Sequence, residues 1–324
     1  MRRRKLSLLF LCAALLAADT GASACAAQQR RAGKPAPTPA PTTAPAQPAP
    51  APTGDKPLPN DGQLTELAAG NYDGIADPFV FVARDADTYA ALRQLVARLP
   101  DERADFFQSH AVVAAFLGQR RSGGYGVEIK QTGPRLLSIG ERTPPKGAMV
   151  TMALTAPFRV VAVAVEPDHA LALELGATWQ QRARPYRVTA GELTVYGGFA
   201  GMRENAKLAG TLGVMRAGAL VTVTFDVEST GGRRARRMTD TASGTVADGG
   251  RVTLARLDSF ALSGAIESPF RAQGTFADDE QVLTLNFQTV PSPRISDNYE
   301  ARGQLTANAT APAPPKSGMS KEPM

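Results

Sequence analysis

Histidine and cysteine, the residues most often used for nucleophilic and zinc chemistry, are scarce in this 324-residue chain: two histidines, His110 and His169, and two cysteines, Cys12 and Cys25. A zinc site needs three or four Cys, His or carboxylate ligands, and a thiolate nucleophile needs a base beside it. Cys12 lies in an N-terminal apolar stretch and Cys25 just beyond it, so thiolate, His-cluster zinc and Cys-His nucleophilic sites are not expected. Ser109-His110 is the one tempting nucleophile–base pair. As adjacent strand residues their side chains point to opposite faces, and the pair is expected not to act together. His169, in Glu166-Pro167-Asp168-His169, reads as a polar turn. Asp278-Asp279-Glu280 falls between Phe276 and Val282, where a solvated hairpin turn is expected in preference to a calcium site. Gly123-Gly124 lacks the Lys-Ser/Thr that follows a phosphate-cradling loop, and no nucleophile elbow is present. The expectation is a protein that is not an enzyme, with no catalytic residue, no metal ligand and no cofactor.

The front of the chain sets the compartment. Arg2, Arg3, Arg4 and Lys5 precede an apolar stretch, Leu6 to Ala18, that is too short to cross a bilayer comfortably. Residues 1–24 therefore read as a cleaved signal peptide. Small residues Ala22-Ser23-Ala24 stand before Cys25, which resembles the lipid-modified cysteine of bacterial lipoproteins. After cleavage Cys25 is the only cysteine left, so no internal disulfide is possible. Losing four basic residues and Asp19 lowers the formal charge from +6 to +3. That mild excess gives little reason to expect nucleic acid as a partner. The cluster Arg233-Arg234-Ala235-Arg236-Arg237 reads as a solvated hairpin tip after Gly231-Gly232.

Residues 25–60 are dominated by Pro, Ala, Thr and Gln, which supply too little apolar surface to offset chain entropy. They read as a stiff, extended spacer. Residues 310–324, with Pro312, Pro314, Pro315 and Pro323, read as a disordered tail. Two folded parts are expected between them, 61–183 and 184–309. In the first, Asp87 can cap a helix whose apolar positions Tyr89, Leu92, Leu95, Val96 and Leu99 recur at spacings of three and four, ended by Pro100. The continuous apolar run Val112 to Leu117 suits a central strand. Gly118, Gly123 and Gly124 supply freedom for a turn, and Tyr125, Val127 and Ile129 alternate on a return strand, so Ser109 to Ile129 reads as a β-hairpin. Further strands are expected at Arg135 to Ile139, Ala148 to Ala153 and Phe158 to Val165.

These residues carry a resemblance. A hydrophobic strand is followed by Gly118, Ser122, Gly123, Gly124 and Tyr125, then by Pro145, Gly147, Met149-Val150, Leu154-Thr155, Pro157-Phe158 and Val160-Val161. Over about residues 80–165 this resembles the PrcB C-terminal domain family, with Gly126 where a small polar residue is commoner and Lys146 between Pro145 and Gly147. The resemblance implies an accessory, often lipid-anchored subunit of an extracellular protease complex that stabilises or assembles and does not cleave. It transfers no catalytic residue.

In the second part, Val221, Val223, Phe225 and Val227 alternate with Thr222, Thr224, Asp226 and Glu228, and Leu283, Leu285 and Phe287 repeat the period of two. A loose Gly-x-apolar motif recurs at Gly210, Gly244, Gly264, Gly274 and Gly303, which suits tight corners in a curved sheet. The fold class expected is α+β, an antiparallel sheet with one packed helix, followed by an all-β antiparallel sandwich or open barrel. Gln119, Arg120, Arg121, Ser122 and Tyr125 would project a basic, aromatic-flanked tip that could meet a protein or acidic surface. The function expected is a non-enzymatic protein-binding, assembly or stabilising module of the bacterial cell envelope. Its partners would be an envelope or secreted protein such as a protease, and the membrane through lipid on Cys25. That anchor makes it an outer-membrane lipoprotein facing periplasm or exterior; without lipid it is soluble in the periplasm or secreted. The alternative is a carrier of a small apolar ligand in a lipocalin-like second domain.

Overall fold

The computed structural model describes residues 64–71, 74–133, 135–165, 171–197, 202–231, 236–257, 270–290 and 299–310. Cys25, the leader, the proline-rich spacer, His169, Gly264 and the tail lie outside them. The first part runs β1 (Thr65–Asn71), β2 (Phe79–Ala83), α1 (Ala86–Leu95), β3 (His110–Phe116), β4 (Gly126–Gly133), β5 (Leu136–Arg142), β6 (Pro157–Ala164), β7 (Ala172–Leu175) and α2 (Ala177–Gln180). It is the expected α+β arrangement, built as a four-stranded sheet in the order β1-β6-β3-β2 and a three-stranded sheet β4-β5-β7. The first is antiparallel; in the second β5 and β7 run parallel.

The helix starts on Asp85 and not on Asp87. Asp85 accepts from the Thr88 backbone N–H at 2.8 Å, and Thr88 Oγ1 accepts from the Asp85 N–H at 3.4 Å, a reciprocal capping box. Asp87 sits in the first turn, where its charge complements the helix dipole. Tyr89 and Leu92 are buried, and the Tyr89 hydroxyl donates to Pro100 O at 2.9 Å.

The expected hairpin does not form. All seven residues of β3 are buried, and it lies between β2 and β6, whose runs FVFVA and PFRVVAVA cover it on both edges. Register places Phe79 opposite Phe116 and Phe116 opposite Phe158, with the latter two rings stacked at 5.7 Å. β4, half exposed, pairs instead with β5. A strand closed on every side outcompetes a strand with one wet face for the inner position. Residues 117–125 are thus a crossing between two sheets. Gly118 turns it at φ 73, and a Cβ there would come within 2.5 Å of Ala76 O and 2.9 Å of Pro78 N. No strand forms at 148–153, which runs as irregular chain. The single tryptophan, Trp179 on α2, is fully buried and donates from Nε1 to Phe116 O at 3.0 Å.

The chain enters the second part directly. β8 (Arg184–Gly197), β9 (Met202–Ala217), β10 (Leu220–Thr230), β11 (Arg236–Val246), β12 (Arg251–Leu257), β13 (Phe270–Ala277), β14 (Val282–Thr289) and β15 (Tyr299–Ala309) form a closed antiparallel barrel in the order β10-β11-β12-β13-β14-β15-β8-β9. Val221, Val223, Phe225 and Val227 face inward with Leu283, Leu285 and Phe287, as the alternation requires. Phe287 meets Phe225 and Phe270 edge-on, each at 6.4 Å, so the described interior is packed with side chains. At Gly244 and Gly274 a Cβ would collide with the backbone of the facing strand, at Thr253 and Thr284. These glycines let the wall coil tightly.

One outward face of the barrel is not wet. β2 is the edge strand of its sheet, and its unpaired backbone groups meet β10 and β11. Val82 N–H donates to Ser243 Oγ at 2.8 Å, and Thr222 Oγ1 donates to Val80 O at 2.6 Å. The two hydroxyls are 2.7 Å apart. Since the Thr222 proton is used on Val80, Ser243 must donate to Thr222, and every group in the relay is satisfied. Beside it Arg84 pairs with Asp240 at 3.3 Å, with side chains 6% and 1% exposed. Side chains of the barrel thus take the place of a fifth strand.

Candidate functional site

A cleft of about 730 Å³ opens where the end of the barrel meets the Gly74–Pro78 segment and the flank of α1. Its apolar walls include Ile75, Leu95, Met215 and Leu220. Among the described residues its charged lining is Asp77, Arg182, Arg184, Arg216 and Glu280. Arg182 pairs with Asp77 at 2.6 Å, and Arg216 pairs with Glu280 while donating to Gly218 O at 3.1 Å. Arg184 has no such carboxylate. It is 5% exposed, its Nε and Nη2 have no hydrogen-bond partner, and its guanidinium lies over the Tyr186 ring at 5.5 Å.

The strands explain this placement. Arg184 and Tyr186 occupy alternate positions at the start of β8, so both point to the barrel axis. Tyr186 closes the barrel end, packed 6.5 Å from Phe276, and its hydroxyl donates to Glu280 O. Burial pushes that hydroxyl above the usual phenol range, and burial also lowers the Arg216 guanidinium. Glu280 ends the β13–β14 turn, where Asp278, Asp279 and Glu280 all have positive φ, at 51, 52 and 66°. Three non-glycine residues in the left-handed region cost on the order of 1 kcal/mol each. The acidic triplet is the hairpin turn expected from sequence, and its third member is drawn into the cleft by Arg216.

The residues singled out around the glycine crossing are brought together, but largely for structure. Arg120 Nε and Nη2 donate to the Glu141 carboxylate at 3.1 and 3.3 Å, and Arg120 lies 5.8 Å over the Tyr125 ring. Burial would raise the Glu141 pKa, but hydrogen bonds from Arg120 and from Thr178, the latter at 2.6 Å, outweigh it and hold the carboxyl below its usual range. Ser122 O accepts from Thr155 Oγ1 at 2.9 Å, and Tyr125 is half buried. Gln119 and Arg121 are exposed. A Cβ on Gly123 would strike Thr151 Oγ1, and one on Gly124, at φ 86, would lie 2.9 Å from Pro144 Cβ. The facing 144–156 segment exposes Met149, Met152 and Leu154.

Ser109 and His110 do touch, at 2.8 Å between Oγ and Nδ1. Ser109 closes a 3-10 turn over Phe106–Gln108 and precedes the strand, so the alternation rule does not separate them. His110 is buried against Phe106, its Nε2 has no partner, and burial lowers its pKa. Arg237, at the edge of the basic cluster, chelates Asp226 at 2.6 and 2.7 Å; residues 232–235 lie outside the described residues. Among the described residues no group of three His, Cys, Asp or Glu could hold a metal ion, and no helix is long and apolar enough to cross a membrane.

A family model described as PrcB C-terminal matches residues 111–164, the span from β3 through β6. The barrel and the cleft's barrel wall lie beyond that match. A comparison with curated proteins found no match.

Proposed function

We propose that this protein is an exported binding protein that holds a small, largely apolar ligand in the cleft at the end of its barrel. The cleft carries this reading: about 730 Å³ falls within the roughly 300–1,000 Å³ of small-molecule sites, and an apolar wall with a few convergent polar groups is their usual lining. The packed barrel interior supports the mouth, and not the lumen, as the place of binding. Export rests on the basic residues, apolar stretch and small-residue cleavage region before Cys25, and lipid on that cysteine would tether the protein to the envelope. Titration of the full chain with the neutral fluorescent probe N-phenyl-1-naphthylamine should saturate at one site. Ala217→Trp, which fills the cleft from the end of β9, should weaken that binding at least tenfold. Equal affinity in the variant refutes the reading.

A second reading is favoured by the 144–156 segment. Met149, Met152 and Leu154 are 102, 89 and 67% exposed within the stretch that matches the family model. Exposed apolar side chains grouped on one surface suit a protein contact. In this reading the first part is the accessory module that docks an envelope or secreted protein, while the barrel end takes the ligand.

A further inference from the structure

From Arg184 we infer that the ligand of this cleft carries a carboxylate, which the buried guanidinium holds while the apolar walls take the rest of the molecule. The inference rests on the reading of the cleft as a ligand site and names the class of ligand. Among the described residues three arginines and two carboxylates line the cleft, and the pairs Arg182–Asp77 and Arg216–Glu280 take both carboxylates. One positive charge is left over, on Arg184, which is 95% removed from solvent by its 5% exposure. A guanidinium remains charged at any physiological pH. Arg184 has a side-chain hydrogen bond with Tyr186, but burying Nε and Nη2 without acceptors is costly, and a structural ion pair would have placed an acid beside them.

The geometry fits a planar two-oxygen acceptor. Nε and Nη2 lie on one edge of the guanidinium and are the two nitrogens without partners. That edge presents two parallel N–H groups, the arrangement that matches a carboxylate bidentately. The guanidinium carbon lies 5.5 Å over the Tyr186 ring. Arg184 is one of the residues that line the cleft. Ile75, Leu95, Met215 and Leu220 then cover an aliphatic or aromatic body. The ligand is thus a small amphiphilic organic acid.

The test compares octanoate with 1-octanol, matched in chain and different in head group, by calorimetry on the full chain. Octanoate should bind at least tenfold more tightly than octanol. Arg184→Met should bring the two within about threefold by weakening octanoate alone, and Arg184→Lys, which keeps the charge and loses the fork, should fall between. Trp179 fluorescence and thermal unfolding establish that each variant is folded. If Arg184→Met does not fold, Arg184→Lys decides: an undiminished octanoate preference in it overturns the bidentate anchor. Octanol binding with no octanoate preference in the parent overturns the carboxylate while leaving the cleft as an apolar site. Binding of neither compound, together with no binding of the naphthylamine probe, overturns both.

Discussion

Thr222→Val is the sharpest perturbation the fold offers, because it keeps the shape of a fully buried side chain and deletes one hydroxyl. That hydroxyl donates to Val80 O and accepts from Ser243, whose own oxygen accepts from Val82 N–H. In the variant Val80 O is left without its donor inside a seam closed to water, a loss of about 1–3 kcal/mol. Ser243→Ala orphans Val82 N–H instead and costs a similar amount. Both single variants lose the same hydroxyl–hydroxyl bond, so the double variant counts it once. Its destabilisation should fall short of the sum of the singles by about 1 kcal/mol. Urea unfolding followed by Trp179 fluorescence reads this directly, since the one tryptophan is hydrogen-bonded to β3, the strand beside β2. Singles each below about 0.5 kcal/mol, or a strictly additive double, would mean that the two hydroxyls do not substitute for a strand.

Two further outcomes follow from named groups. Burial lowers the His110 pKa from 6.5, so the unfolded chain binds the proton more readily; the stability this contributes is full above about pH 6.5 and is lost as pH falls through the lower folded value. His110→Phe should flatten the fall in stability between pH 7 and 5 by up to about 1.4 kcal/mol per pH unit, measured by urea unfolding at each pH, and an unchanged slope rejects the assignment. Replacing Met152 and Leu154 together with Asp should leave thermal unfolding within a few degrees of the parent, because both are exposed. The same change should abolish retention of whichever envelope protein the parent retains, and equal retention removes the docking reading.

Single-strand signals were legible because they are local. The alternation of Val221 to Val227 reads directly as a strand with one buried face, in a sandwich or a barrel alike, and the glycines at 244 and 274 read as tight corners. Pairing was less legible, because it is a competition among distant segments. The crossing at Gly118 has the composition of a hairpin turn, and only the apolar richness of β2 and β6 decides that β3 joins them and not β4. Thr222 shows the same limit from the other side. Period two assigns it to a solvent face, and it is fully buried, since the edge of β2 covers that face. The cleft was the least legible feature, because Asp77, Arg184, Arg216 and Glu280 share no motif and are assembled by barrel closure and by the packing of the Gly74–Pro78 segment against the barrel end. One signal did lie in the sequence. Arg184, Tyr186 and Val188 share the inward register of β8, and an arginine at an inward position of an apolar wall is costly. Such a violation of the binary pattern, with no acid paired to it among the described residues, marks a position retained for something other than stability. The unpaired edge of Arg184 gives that exception a chemical form, which is the reason the cleft and not the glycine crossing carries the functional argument.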